Sequence, residues 1–166
     1  MTRGFAIFVV LAVMLWGGHA AAAVSVVDAE GLPFEEGLAA FEAGDYPLAA
    51  QKWHEAASEG IPQAQYNLGT LYYSGRGVEQ DLQVAAKLFE LAGTGGVAEA
   101  QYNLGAMFLS GNGVPRDLVE AFVWLGVAAR SGFKQAVSAL PEVAAAMTPE
   151  ERSQAAERIQ HWKPDK

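Results

Sequence analysis

Two clusters of side chains in this sequence have chemistry to offer, and what they offer is grip. Tyr66, Asn67, Tyr73 and Ser74 fall in the first stretch of sequence; Tyr102, Asn103 and Ser110 fall in the second. A tyrosine presents apolar area with one polar tip, which suits an extended peptide needing both contact and hydrogen bonds. A tyrosine at helical spacing can equally belong to a core. An asparagine amide can donate to and accept from a bound backbone, and it can also satisfy the buried end of a helix. Signatures of reactive chemistry are missing: the sequence has no Gly-x-Ser-x-Gly elbow, Walker loop or His-Glu-x-x-His. Gly93-Thr94-Gly95-Gly96 has the glycines of a phosphate-cradling loop but no lysine after them. His54 and His161 stand far apart without metal-ligand spacing, and Glu35, Glu36 and Glu42 read as a solvated face. With no cysteine, thiol catalysis, thiolate metal sites and disulfides are excluded. The expectation is a chain with no catalytic residues, no metal and no cofactor.

The elements that must position these clusters come from an internal repeat. Ala64-Gln65-Tyr66-Asn67-Leu68-Gly69 returns 36 residues later as Ala100-Gln101-Tyr102-Asn103-Leu104-Gly105. Ser74-Gly75-Arg76-Gly77-Val78 returns as Ser110-Gly111-Asn112-Gly113-Val114, and Asp81-Leu82 as Asp117-Leu118. Ala85, Ala86, Phe89 and Ala92 correspond to Ala121, Phe122, Leu125 and Ala128, keeping one helical face apolar at i, i+4 and i+7. Each unit therefore reads as helix, loop, helix. A shorter unit begins near Phe34, since Tyr46 to Trp53 falls in frame with Leu82 to Phe89. After Ala136 the frame decays, with Ala139 and Pro141 in place of the signature Asn and Gly.

Local signals agree with these hairpins. Gly60, Gly96 and Gly132 follow the second helices, where a left-handed residue ends a helix without a Cβ clash. Pro62 suits a first helical turn, Asp81 and Asp117 suit N-caps, and Thr148-Pro149-Glu150-Glu151 is a capping-box pattern. The helix after Thr148 carries Ala155, Ile159 and Trp162 on one side, a stripe fit to close the end of a stack.

Composition bounds the rest. At 166 residues, 51% of them hydrophobic, the chain is long enough and apolar enough for one folded unit. Residues 1–23 read as a signal peptide: Arg3 supplies the charge, Gly4 to Trp16 the apolar run, and Ala20 to Ala23 the small residues for cleavage. That run is shorter than the roughly 20 residues a bilayer-spanning helix needs. The expectation is an exported protein, periplasmic or secreted, with no membrane insertion after cleavage. Cleavage would remove Arg3 and no acid, taking the net charge from −8 to −9. Such an acidic chain is a poor partner for nucleic acid.

The motif Ala-x-Tyr-Asn-Leu-Gly, followed by an aromatic residue, Ser-Gly-x-Gly-Val and Asp, and then an alanine-rich helix, resembles the Sel-one-like repeat, a branch of the tetratricopeptide class. The resemblance covers about Phe34 to Gln135. It implies an all-α fold: a right-handed superhelical solenoid of antiparallel helix hairpins, with a first hairpin at 34–63, repeats at 64–99 and 100–135, and degenerate capping helices at 136–166. By the family's helix geometry Leu68, Gly69 and Tyr72 face the partner helix, and Leu104, Gly105 and Phe108 repeat this. Tyr66, Asn67, Thr70, Tyr73 and Ser74, with Tyr102, Asn103, Ala106, Leu109 and Ser110, are then candidates for a peptide-binding groove. The function implied is a non-catalytic scaffold for an unidentified protein or peptide in the cell envelope. The alternative is an envelope hydrolase built on the same repeats, which would need a perturbed carboxylate pair.

Overall fold

The structure, a computed structural model, describes residues 32–164, so the signal-peptide segment 1–23 lies outside the described residues. Within them all regular structure is helical: α1 (Pro33–Glu42), α2 (Tyr46–Ser58), α3 (Pro62–Ser74), α4 (Leu82–Thr94), α5 (Ala98–Ser110), α6 (Leu118–Arg130), α7 (Lys134–Ala145) and α8 (Pro149–His161). The first six pack as three hairpins, and each second helix packs on the first helix of the next hairpin. The result is a solenoid of helix pairs.

Each helix has identifiable start and stop chemistry. Asp81 Oδ1 accepts from the backbone N–H groups of Gln83 and Val84 at 2.9 and 3.0 Å, and Asp117 repeats this at Val119 and Glu120. Asp45 does the same for α2 through Leu48, at 3.2 Å. These carboxylates satisfy N–H groups that have no partner within their helices. Gly60, Gly96 and Gly132 close the second helices at φ of 83°, 92° and 85°, where any side chain would be strained.

Within a hairpin the two helices approach through a glycine set against a large side chain. A Cβ atom on Gly69 would stand 2.9 Å from the Phe89 ring, and one on Gly105 would stand 2.8 Å from Leu125. Gly37 has the same relation to Trp53 in the shorter first unit, where the indole N–H also donates to the Phe34 carbonyl at 3.3 Å. The small residue lets Trp53, Phe89 and Leu125 fill the space between helices, and all three are buried.

The last pair departs from the pattern. Helix α7 runs through Pro141, and α8 packs on α6 instead of on α7. Ile159 of α8 lies against Gly126, and Arg130 donates to the carbonyls of Ile159 and Trp162. Arg152 caps α7 by donating to the carbonyls of Ala144 and Met147, both at 2.9 Å. This explains why α6 is apolar nearly all round. Val123 and Val127, buried here, occupy the positions of Lys87 and Leu91 in α4, which are exposed.

Candidate functional site

Helices α3 and α5, the first helices of adjacent hairpins, border a cleft of about 390 Å3 that the loop after α5 also lines. Ala106, buried Met107, Tyr73 and Tyr102 line it, and Asn103, Ser110 and Asn112 supply the polar groups. Tyr73 is 42% exposed, with its ring centroid 6.3 Å from that of Phe89. Tyr102 leans on Phe133 at 5.2 Å, which spends part of its ring on packing and leaves the rest to the cleft. Ser110 Oγ donates to the Ala106 carbonyl at 2.9 Å, so its oxygen is left to act as an acceptor.

Five of the ten sequence candidates thus come together: Tyr73, Tyr102, Asn103, Ala106 and Ser110. The other five do not line this cleft. Tyr66, Asn67, Thr70 and Ser74 are the counterparts of Tyr102, Asn103, Ala106 and Ser110 one repeat earlier, where the loop that follows carries Arg76 in place of Asn112. Tyr66 is half-buried beside Phe89 at 5.9 Å, and Thr70 and Ser74 donate their hydroxyls to the carbonyls of Tyr66 and Thr70 at 3.0 and 2.7 Å. Leu109 packs against the core built by α6, α7 and α8. Burial raises the Tyr66 hydroxyl above its ordinary pKa and the charge of Glu99 adds to this, while hydrogen bonding from Thr70 and Asn103 acts in the opposite direction.

Comparison with known proteins places these observations. The Sel1 repeat profile matches residues 62–97 and 98–133, frames that open at the first turns of α3 and α5. The crystal structure of a Sel1 repeat protein from Oxalobacter formigenes is similar at 32% identity and a TM-score of 0.62, covering 66% of this chain and 86% of that one. This chain belongs to the Sel1 repeat family. A protective antigen of uropathogenic Escherichia coli displaying an SLR fold, c5321, is similar at 28% identity with a TM-score of 0.73 over 78% of this chain. The chain spans only 29% of that antigen. No curated protein matches. Sel1 repeat proteins are typically scaffolds for protein–protein interaction and generally non-catalytic.

The Sel1 units also use residues that sequence reasoning passed over. Gln65 and Gln101, two residues before the two asparagines, reach back to the preceding unit: Gln65 Nε2 donates to the Ala57 carbonyl at 3.4 Å and Gln101 Nε2 to the Gly93 carbonyl at 2.8 Å. Joining the end of one unit to the next therefore falls to the glutamines. The signal was available, since Gln101 precedes Leu104 and Gly105 by three and four residues and so shares their inward face. Asn112, the variable position of Ser-Gly-x-Gly-Val, was the other residue missed; it lines the cleft.

The cleft's groups are neutral acceptors, donors and aromatic faces, suited to binding. Ionic pairs lie elsewhere: Lys52 with Glu36 at 2.5 Å, and Arg158 with Glu120 at 2.7 Å. Among the described residues no three His, Asp or Glu side chains gather as a metal site would require. No described helix is long and apolar enough to cross a membrane.

Proposed function

We propose that this Sel1 repeat protein is an exported, non-catalytic scaffold that holds an extended peptide segment of a partner in the cleft between α3 and α5. The observation that carries the reading is the convergence of Tyr73, Tyr102, Asn103 and Ser110 around one concave space of about 390 Å3. Aromatic walls supply contact area at little conformational cost, and the Asn103 amide can pair with a peptide group in both senses. Residues 1–23 act as the export signal, which puts the scaffold in the periplasm or outside the cell, and units 34–63, 64–99, 100–135 and 136–166 are its structural modules.

The test is binding of peptides selected from a displayed random library, compared with the variants Ala106→Trp and Asn103→Ala. Ala106→Trp fills the cleft without removing any packed side chain. Loss of binding in Ala106→Trp with retained helical circular dichroism supports the reading, and undiminished binding overturns it. The export signal is tested separately by sequencing the N-terminus of protein recovered from the periplasm or the medium. An intact Met1 there contradicts cleavage.

A further inference from the structure

The preceding repeat shows what kind of group the cleft is shaped to take. Phe41 of α1 stands where Tyr73 stands in α3: each lies beside the large side chain of its hairpin, Phe41 with its ring centroid 5.4 Å from that of Trp53 and Tyr73 6.3 Å from Phe89. In the loop that follows, Arg76 of Ser-Gly-Arg-Gly-Val is the counterpart of Asn112 in Ser-Gly-Asn-Gly-Val. The Arg76 guanidinium carbon lies 5.3 Å from the Phe41 ring centroid and 4.0 Å from that of Tyr46, and the guanidinium hydrogen-bonds the Tyr46 hydroxyl. One repeat on, Tyr73 keeps the ring of Phe41, Leu82 takes the place of Tyr46, and the loop offers only Asn112, too short to reach across, so the space is open. The cleft is the position that an arginine of the chain itself occupies in the repeat before.

We infer that the cleft receives an arginine side chain from the partner peptide, its guanidinium stacked over the exposed face of Tyr73. This rests on the peptide-binding reading and names the residue that anchors it. The Asn103 and Asn112 amide oxygens and the Ser110 oxygen are the acceptors for the guanidinium N–H groups. The lining holds no carboxylate, which favours a weakly hydrated planar cation that stacks over a compact ammonium that needs a counter-charge. Arg116, the nearest cation in sequence, donates to the Leu109 carbonyl at 3.1 Å and is not part of the lining. The chain's net charge of −8 attracts a cationic segment from a distance.

The experiment titrates a capped Gly-Gly-Arg-Gly-Gly peptide into the chain, beside twins carrying lysine or citrulline, and follows the Asn103 and Asn112 side-chain amides and the Tyr73 ring by NMR. The arginine peptide shifts these signals, and citrulline, the neutral analogue, binds about two- to fivefold more weakly, as loss of a cation–π contact at an exposed ring requires. Tyr73→Leu weakens the arginine peptide by about the same factor. Asn112→Arg, which supplies the guanidinium from the chain as Arg76 does, abolishes the shifts while circular dichroism stays unchanged. Equal cleft shifts with arginine and citrulline, or an Asn112→Arg variant that still binds, overturn the guanidinium assignment and leave the peptide site standing. Shifts confined to other faces, or none up to about 10 mM peptide, overturn the assignment; cleft-directed binding of library peptides then decides separately whether the broader reading survives.

Discussion

A Cβ atom on Gly113 would stand 2.3 Å from the Leu82 carbonyl oxygen, closer than a real Cβ tolerates. Gly77 has the same relation to Tyr46, 2.3 Å from its carbonyl carbon, so the second glycine of each long loop seats that loop on the first turn of the preceding unit's second helix. The loop contact therefore joins successive units alongside helix packing and the Gln65 and Gln101 hydrogen bonds.

Gly113→Ala should accordingly cost about 2–4 kcal/mol, because a φ of +74° strains any side chain and the contact is with backbone that cannot yield. Gly132→Ala is the control: its φ is +85° but nothing lies within 4 Å, so about 1–2 kcal/mol is expected. Denaturant unfolding of both variants checks this, and equal losses would show that the loop contact adds nothing.

Gln101 is fully buried, with its amide donating to Gly93 and its Oε1 without a partner among the described residues. Gln101→Glu should fold near neutral charge at low pH, where the protonated carboxyl can still donate to Gly93. Burial raises the folded-state pKa of such a carboxyl, so stability falls as pH rises above the unfolded value near 4.3, by about 3 kcal/mol at pH 7. Urea midpoints at pH 4 and pH 7 measure it; a variant equally stable at both would mean that the site is wet.

The repeat, its helix pairs and their caps were legible in the sequence because they rest on short-range chemistry: Asp81 and Asp117 before helices, glycines after them, and Gly69 and Gly105 in phase with Phe89 and Leu125. The position of α8 was not. Its stripe of Ala155, Ile159 and Trp162 announces burial without saying against what, and the deciding feature, Gly126 in α6, matters only once Ile159 is seen to fill the space above it. The cleft was half legible for a similar reason. Period alone cannot say that Tyr66, the counterpart of Tyr102, packs beside Phe89 without lining the cleft, nor that the loop residue at 112 opens what Arg76 closes.

Docking of α8 rests on packing more than on charge. Ile159→Ala should cost about 2 kcal/mol by opening space beside Gly126. Glu120→Gln, which breaks the pair with Arg158 where the arginine side chain is 42% exposed, should cost no more than about 0.5 kcal/mol and nothing at high salt. Thermal unfolding at low and high ionic strength separates the two, and the reverse ranking would contradict the packing account.

Tyr66 should titrate above the ordinary tyrosine value, since burial and then Glu99 disfavour its ionised form. The folded state holds this proton more tightly than the unfolded state does, so the corresponding stability is present below pH about 10 and is lost as pH rises past it. Ultraviolet titration of the phenolate band should show one late group that vanishes in Tyr66→Phe; an unchanged late group would assign the effect to another ring.

The central claim is that the partner lies between α3 and α5, and a map of backbone amide shifts on adding a library-selected peptide tests it most directly. The account predicts the largest changes at Tyr73, Asn103, Ala106, Ser110 and Asn112, with α2, α4 and α6 quiet. Changes centred on those second helices, with the cleft unperturbed, would contradict it.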